Sequence, residues 1–224
     1  MQLFKKTDPT KAQIERGVGI LYSLKIVINV LYALMIFQVF LILPRPDDPE
    51  LVYHSLSQIF SEHIMQLVMI VVGLVLIMMY WIQFNTQMGN LVRSSPLHAT
   101  LAVVQMIFLM IYLYFLRFDM EFEGMKLALQ MESIFLAAAG FIAAINWRYA
   151  RSNGLTSDQI DKNEELNIFY KILPEPMASL FTLPFAGLGP NYWTLAFLSI
   201  IPFTYILKLV RKKYDTNGVE NTDD

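Results

Sequence analysis

The sequence has no cysteine, so it carries no disulfide framework, no thiolate metal site and no cysteine nucleophile. Histidine is almost as scarce. His54, His63 and His98 are the only three; they fall in loops or at the edges of apolar segments, outside any HExxH pattern. His54 and His63, nine apart on an outer loop, read as polar surface residues, and neither a metal nor a cofactor is expected. There is no glycine-rich phosphate loop, since Gly187 and Gly189 in AGLGPN read as a short turn. Without a nucleophile, a paired-carboxylate site or a metal constellation, the chain does not read as an enzyme. Charge is the largest deficit. Lys and Arg number 17 and Asp and Glu 19, together 16% of 224 residues, where a soluble domain carries about 25%. The formal net charge of −2 supplies no basic field for nucleic acid.

What fills the space is apolar: 55% of the residues are hydrophobic, with 16 Phe and 13 Met among them. A membrane-spanning helix needs roughly 20 apolar residues. Gly17–Leu43, Ile64–Ile82, Ala99–Leu116, Leu127–Trp147 and Tyr192–Val210 meet that requirement. Ile168–Leu188 contains Glu175 and three prolines and reads as a sixth, broken span whose backbone must be satisfied by its neighbours. The polar start MQLFKKTDPTKAQIER is not expected to be a cleavable signal.

Lysine and arginine set the expected orientation, because cytoplasmic loops hold the excess. With the N-terminus inside, twelve basic residues fall on the inner side and only Arg45, Arg117 and Lys126 on the outer side. The expectation is therefore an all-α integral membrane protein with six transmembrane helices and both termini cytoplasmic. Residues 1–16 form a cytoplasmic N-terminal segment, 17–210 the six-helix domain and 211–224 a cytoplasmic polar tail, of which Tyr214–Asp224 is expected to be disordered. The first outer loop, after its prolines, spaces Leu51, Leu56, Ile59 and Phe60 as a short interfacial helix would.

Polar residues inside the spans are the informative ones, because each is costly unless it faces protein, water or a pore. On a helical wheel of the first span, Lys25, Asn29, Tyr32 and Ile36 fall on one stripe, flanked by Tyr22 and Phe40, with Gln38 nearly opposite. Two readings stay open. Lys25 snorkels to headgroups while Asn29 bonds a neighbouring helix, or the stripe lines a water-accessible path. Glu132 reads as interfacial or hydrogen-bonded to a neighbour, about 10 Å from Lys25 along the membrane normal and so not paired with it. Ala139 with Ala143 and Gly140 with Ala144 are small residues four apart, a signal for close helix approach.

The order of features resembles the bacterial single-repeat relatives of the endolysosomal potassium channel (the transmembrane protein 175 family). Tyr22-Ser23-Leu24 is similar in position to that family's Phe-Ser-Asp opening of helix 1, and Tyr80-Trp81-Ile82 to its aromatic-tryptophan ending of helix 2. Leu24 stands where the family has Asp, Phe84 where it has His and Gln105 where it has Asn. The resemblance implies a plasma-membrane channel of four copies around helix 1, passing potassium or another monovalent cation. By the same register, Asn29, Tyr32 and Ile36 fall at the constriction. Expected partners are membrane lipid, monovalent ions and further copies of the chain. The rival readings are a non-conducting channel-like scaffold or accessory protein and a small-solute carrier, for which a proline-broken span can frame a site.

Overall fold

A computed structural model describes residues 10–41, 56–122 and 125–220, which are helical apart from short connections. Eight α-helices follow in order: α1 (Lys11–Phe40), α2 (Leu56–Gly89), α3 (Pro96–Glu121), α4 (Lys126–Ser152), α5 (Lys162–Ile172), α6 (Pro174–Thr182), α7 (Pro190–Ala196) and α8 (Ile200–Glu220). Single 3-10 turns at Leu183–Gly187 and Phe197–Ser199 join α6 to α7 and α7 to α8.

Among the described residues, five stretches are long and apolar enough to cross a membrane: Lys11–Phe40, Leu67–Gly89, Pro96–Glu121, Lys126–Ser152 and Pro190–Lys212. The sixth expected segment is in pieces, as its prolines demand. Pro174 has no N–H to continue α5 and instead opens α6, while Pro184 falls in the 3-10 turn. Gly189, at φ 107° before α7, takes a backbone conformation that only glycine adopts without strain, so the AGLGPN turn stands as expected.

Helix ends extend past the apolar runs. Thr10 caps α1 through a capping box with Gln13, its hydroxyl accepting the Gln13 N–H while its own N–H donates to Gln13 Oε1 at 2.9 Å. The region around Leu56, Ile59 and Phe60 belongs to α2 itself, which runs unbroken for 34 residues. There is no separate interfacial helix there, and Leu51 lies outside the described residues. At the other end of the chain, α8 continues to Glu220, so the described part of the polar tail prolongs the last helix.

The core is organised by α4, whose small residues let its neighbours close in. Ala139, Gly140, Ala143 and Ala144 are all buried, and α4 packs on α3 and α6. At Gly140 even a methyl group would lie 2.8 Å from Pro176 Cβ and from the Tyr80 hydroxyl, so this residue sets the approach of α4, α6 and α2. One end of the bundle is tied by polar contacts. Ser94 N donates to Gly17 O, Val92 N to Leu155 O and Ser157 N to Asn90 O. Arg151 Nε pairs with Glu165 at 2.6 Å, and Trp147 Nε1 donates to Glu165 O.

Candidate functional site

Helix α1 buries Leu21, Leu24, Ile28, Tyr32, Met35 and Val39, a strip with steps of three and four against α2 and α3. The stripe predicted from the wheel rides along the edge of that strip, one residue after each buried position at Lys25, Asn29 and Ile36. Its members therefore separate. Tyr32 is fully buried, its ring 6.0 Å from that of Phe84. Ile36 packs against the core from a half-buried position. Lys25 is half-buried and Asn29 uncovered. Asn29 Oδ1 accepts a 3.0 Å hydrogen bond from Trp81 Nε1, and its amide nitrogen has no partner among the described residues. Beyond this edge α1 presents Tyr22, Ser23, Ile26, Val27, Val30, Leu34, Phe37 and Gln38, none covered by the described residues.

Of the positions that carry the family resemblance, Leu24 faces the core, Tyr22 and Ser23 face outward, and Trp81 reaches helix 1 through Asn29. Phe84 lies against Tyr32, and Gln105 is buried with its amide nitrogen unpartnered.

A second polar group lies inside the bundle. Glu132 of α4 and Glu175 of α6 are buried, at 0% and 1% exposure, together with Asp119 of α3. No described residue makes a hydrogen bond of good geometry to their carboxyl oxygens, although the Tyr80 and Ser179 hydroxyls lie close enough to Glu175 to interact with its carboxyl group. Tyr32 and Tyr80 lie within electrostatic reach of Glu175, Tyr112 within reach of both glutamates, and Asp119 within reach of Glu132. Tyr80 sits beside Glu175 yet donates its hydroxyl to Leu136 O at 2.7 Å. The neighbouring hydroxyls are satisfied: Ser133 and Thr182 are 2.6 Å apart, Trp193 Nε1 donates to Ser133 at 2.8 Å, and Thr182 donates to Ser179 O. A buried carboxylate without a cation is costly, so charge must be supplied by a proton, an ion or a ligand.

One expectation changes here. Glu132 is not interfacial; it points into the bundle because α4 is covered by α3 and α6 along that turn. His98 lies inside α3. It is buried in the first turns of α3, with Nδ1 2.9 Å from Ser94 Oγ and its backbone N–H donating to the capping Ser95 hydroxyl. His54 and the His63 side chain lie outside the described residues. Sequence reasoning missed Asp119, and it read Glu175 only as a flaw in a span. Both sit in otherwise apolar helices, and that placement was the available signal.

No family model matches the chain, and no curated protein matches it.

Proposed function

We propose that the chain is the subunit of an ion channel, in which several copies, most simply four, surround an axis with α1 innermost and pass monovalent cations, potassium first. The observation that carries this reading is Asn29. Its amide donors have no partner among the described residues, and it lies beside the half-buried Lys25 on a side of α1 that the described residues leave uncovered. Lipid can cover the apolar residues around it but offers an amide donor nothing. Water along an axis, or the same residue of another copy, offers an acceptor. A single subunit cannot enclose such a path, whereas symmetry-related copies of α1 can.

The reading includes a sixth crossing made by α5, α6 and the following 3-10 turn, both termini on the cytoplasmic side, and a bacterial plasma membrane. The twelve-to-three distribution of basic residues supports the even number of crossings. The architecture would then be that of the single-repeat relatives of the endolysosomal potassium channel. Lys25 near the axis would oppose cations electrostatically and so limit their throughput. Flux from purified protein in liposomes, with potassium, sodium and chloride compared, tests the proposal. A stable oligomer that passes none of them would make the chain a channel-like scaffold instead.

A further inference from the structure

A cleft of about 440 Å³ opens at the end of the bundle where α1 and α3 begin and α4 ends. Two arginines line it, Arg16 from the second turn of α1 and Arg93 from the turn between α2 and α3, and no acidic residue is among its lining. Neither guanidinium has a carboxylate partner among the described residues. Arg93 is steadied by donating to Gly154 O at 3.2 Å, while Arg16 is exposed. The Ser95 and Tyr149 hydroxyls, 3.1 Å apart, and Asn153 add polar lining. Ile20, one turn further along α1 than Arg16, lines the same cleft on its apolar side.

Two local features build this arrangement. Gly17 has no side chain, and a methyl group there would lie 2.9 Å from Ser94 O and 3.1 Å from Arg93 Cβ. Its absence lets Ser94 N donate to Gly17 O at 2.9 Å, so α1 docks on the Arg93–Ser95 turn and Arg16 and Arg93 reach one cleft. Ser95 caps α3 ahead of Pro96 by accepting the His98 N–H at 3.2 Å. Whichever of Ser95 and Tyr149 donates in the bond between them, the other keeps a hydroxyl proton that no described residue accepts. The cleft is therefore rich in donors and positive charge.

We propose that this cleft holds the phosphate of an anionic phospholipid, its non-bridging oxygens among the Arg16 and Arg93 guanidiniums and the spare hydroxyl of the Ser95–Tyr149 pair, with its glycerol end leaving past Ile20. Two like charges converging on one cleft repel each other until an anion lies between them. A guanidinium offers a phosphate two parallel N–H donors, which an ammonium group cannot. The three helices that frame the cleft are long and apolar enough to cross a membrane, and the cleft lies at their ends, where headgroups lie. Ile20 gives a lipid an apolar contact that free phosphate does not use. The ammonium of a zwitterionic headgroup would find no carboxylate on this lining, so a headgroup without one, such as glycerol, fits better. Asn29 and the uncovered face of α1 take no part, and occupancy is read without any ion flux.

The experiment titrates the purified full-length chain in mild detergent with dioleoylphosphatidylglycerol, dioleoylphosphatidylcholine or inorganic phosphate and counts bound molecules by native mass spectrometry. The expected result is saturable binding of phosphatidylglycerol, about tenfold or more tighter than phosphatidylcholine and not displaced by inorganic phosphate. Arg16→Gln should weaken it about fivefold, the scale of one basic residue at a membrane surface. Adding Arg93→Gln should erase the preference for phosphatidylglycerol. Lys208→Gln, which removes the same charge from an exposed position of α8 outside the cleft, should change the affinity less than about twofold. If the double variant is not recovered as folded protein by circular dichroism and gel filtration, the lipid panel and Arg16→Gln, whose side chain bonds no described residue, carry the test. Equal binding of the two lipids, equal losses in Arg16→Gln and Lys208→Gln, or phosphate binding that displaces the lipid would overturn the proposal.

Discussion

Trp81 Nε1 donates a 3.0 Å hydrogen bond to Asn29 Oδ1, joining the last third of α2 to the polar edge of α1. Both side chains are uncovered on the bundle surface, where no water competes if lipid or another subunit lies outside. The bond therefore positions the one amide on which the pore proposal rests.

Trp81→Phe and Asn29→Leu are each expected to lower stability, and together to lower it by less than the sum. A coupling of about 0.6 kcal/mol, up to about 1.7, is the scale for interhelical bonds in membranes. A double-mutant cycle by denaturant unfolding in detergent checks this; strict additivity would mean that the two residues do not interact.

Gly140→Ala is expected to destabilise by about 1–3 kcal/mol through overpacking, because the added methyl meets Pro176 and the Tyr80 hydroxyl at 2.8 Å. Gly19→Ala, where nothing lies within 4 Å, should be neutral or slightly stabilising, since alanine favours helix. Thermal unfolding of the two variants side by side is the measurement, and equal shifts would show that α4 and α6 are not in contact at Gly140.

Neighbouring residues of α4 should respond with opposite signs. Glu132→Met removes buried carboxyl oxygens that have no described partner and is expected to stabilise by about 1–3 kcal/mol, the usual penalty of an unmade bond. Ser133→Ala strands Trp193 Nε1, which now donates to it at 2.8 Å, and should destabilise by a similar amount. Unfolding midpoints decide the matter. A loss of stability in Glu132→Met would show that the carboxyl is paired in the assembled protein.

How far these groups could be foreseen depends on what each signal requires. The long helices were legible because apolar length alone specifies them, and the break near Pro174 because proline lacks a donor. The close approach at Gly140 followed from small residues four apart. Burial of single polar residues did not follow, since it depends on partners distant in the chain. Asp119 lies between Arg117 and Glu121, which pair on the surface at 2.9 Å, so this stretch reads as a polar helix end. His98 is buried only because Ser94 and the adjoining turns close over it. Tyr32 shares a sector with Asn29 on a wheel, yet it falls within the strip that meets α2, while Asn29 falls just outside it. A wheel gives relative angles and not which sector a neighbour covers.

Topology and assembly are open to cysteine chemistry because the chain has no cysteine of its own. Leu3→Cys and Val219→Cys are expected to react only with membrane-permeant reagents in intact cells. Asn29→Cys should cross-link between subunits. Labelling of either terminus by an impermeant reagent would contradict the orientation, and a monodisperse monomer in lipid would remove the pore.

The most direct measurement is ion flux in one liposome assay for the wild type, Asn29→Leu, Lys25→Ala and Gln38→Leu. A channel with α1 at its axis predicts that Asn29→Leu cuts conductance by restoring a dry aliphatic ring and that Lys25→Ala raises cation over anion permeability. Gln38→Leu, nearly opposite Asn29 on the wheel though also uncovered, should change both less than Asn29→Leu does. Equal effects of Asn29→Leu and Gln38→Leu, or no flux above protein-free liposomes in the wild type, would contradict it.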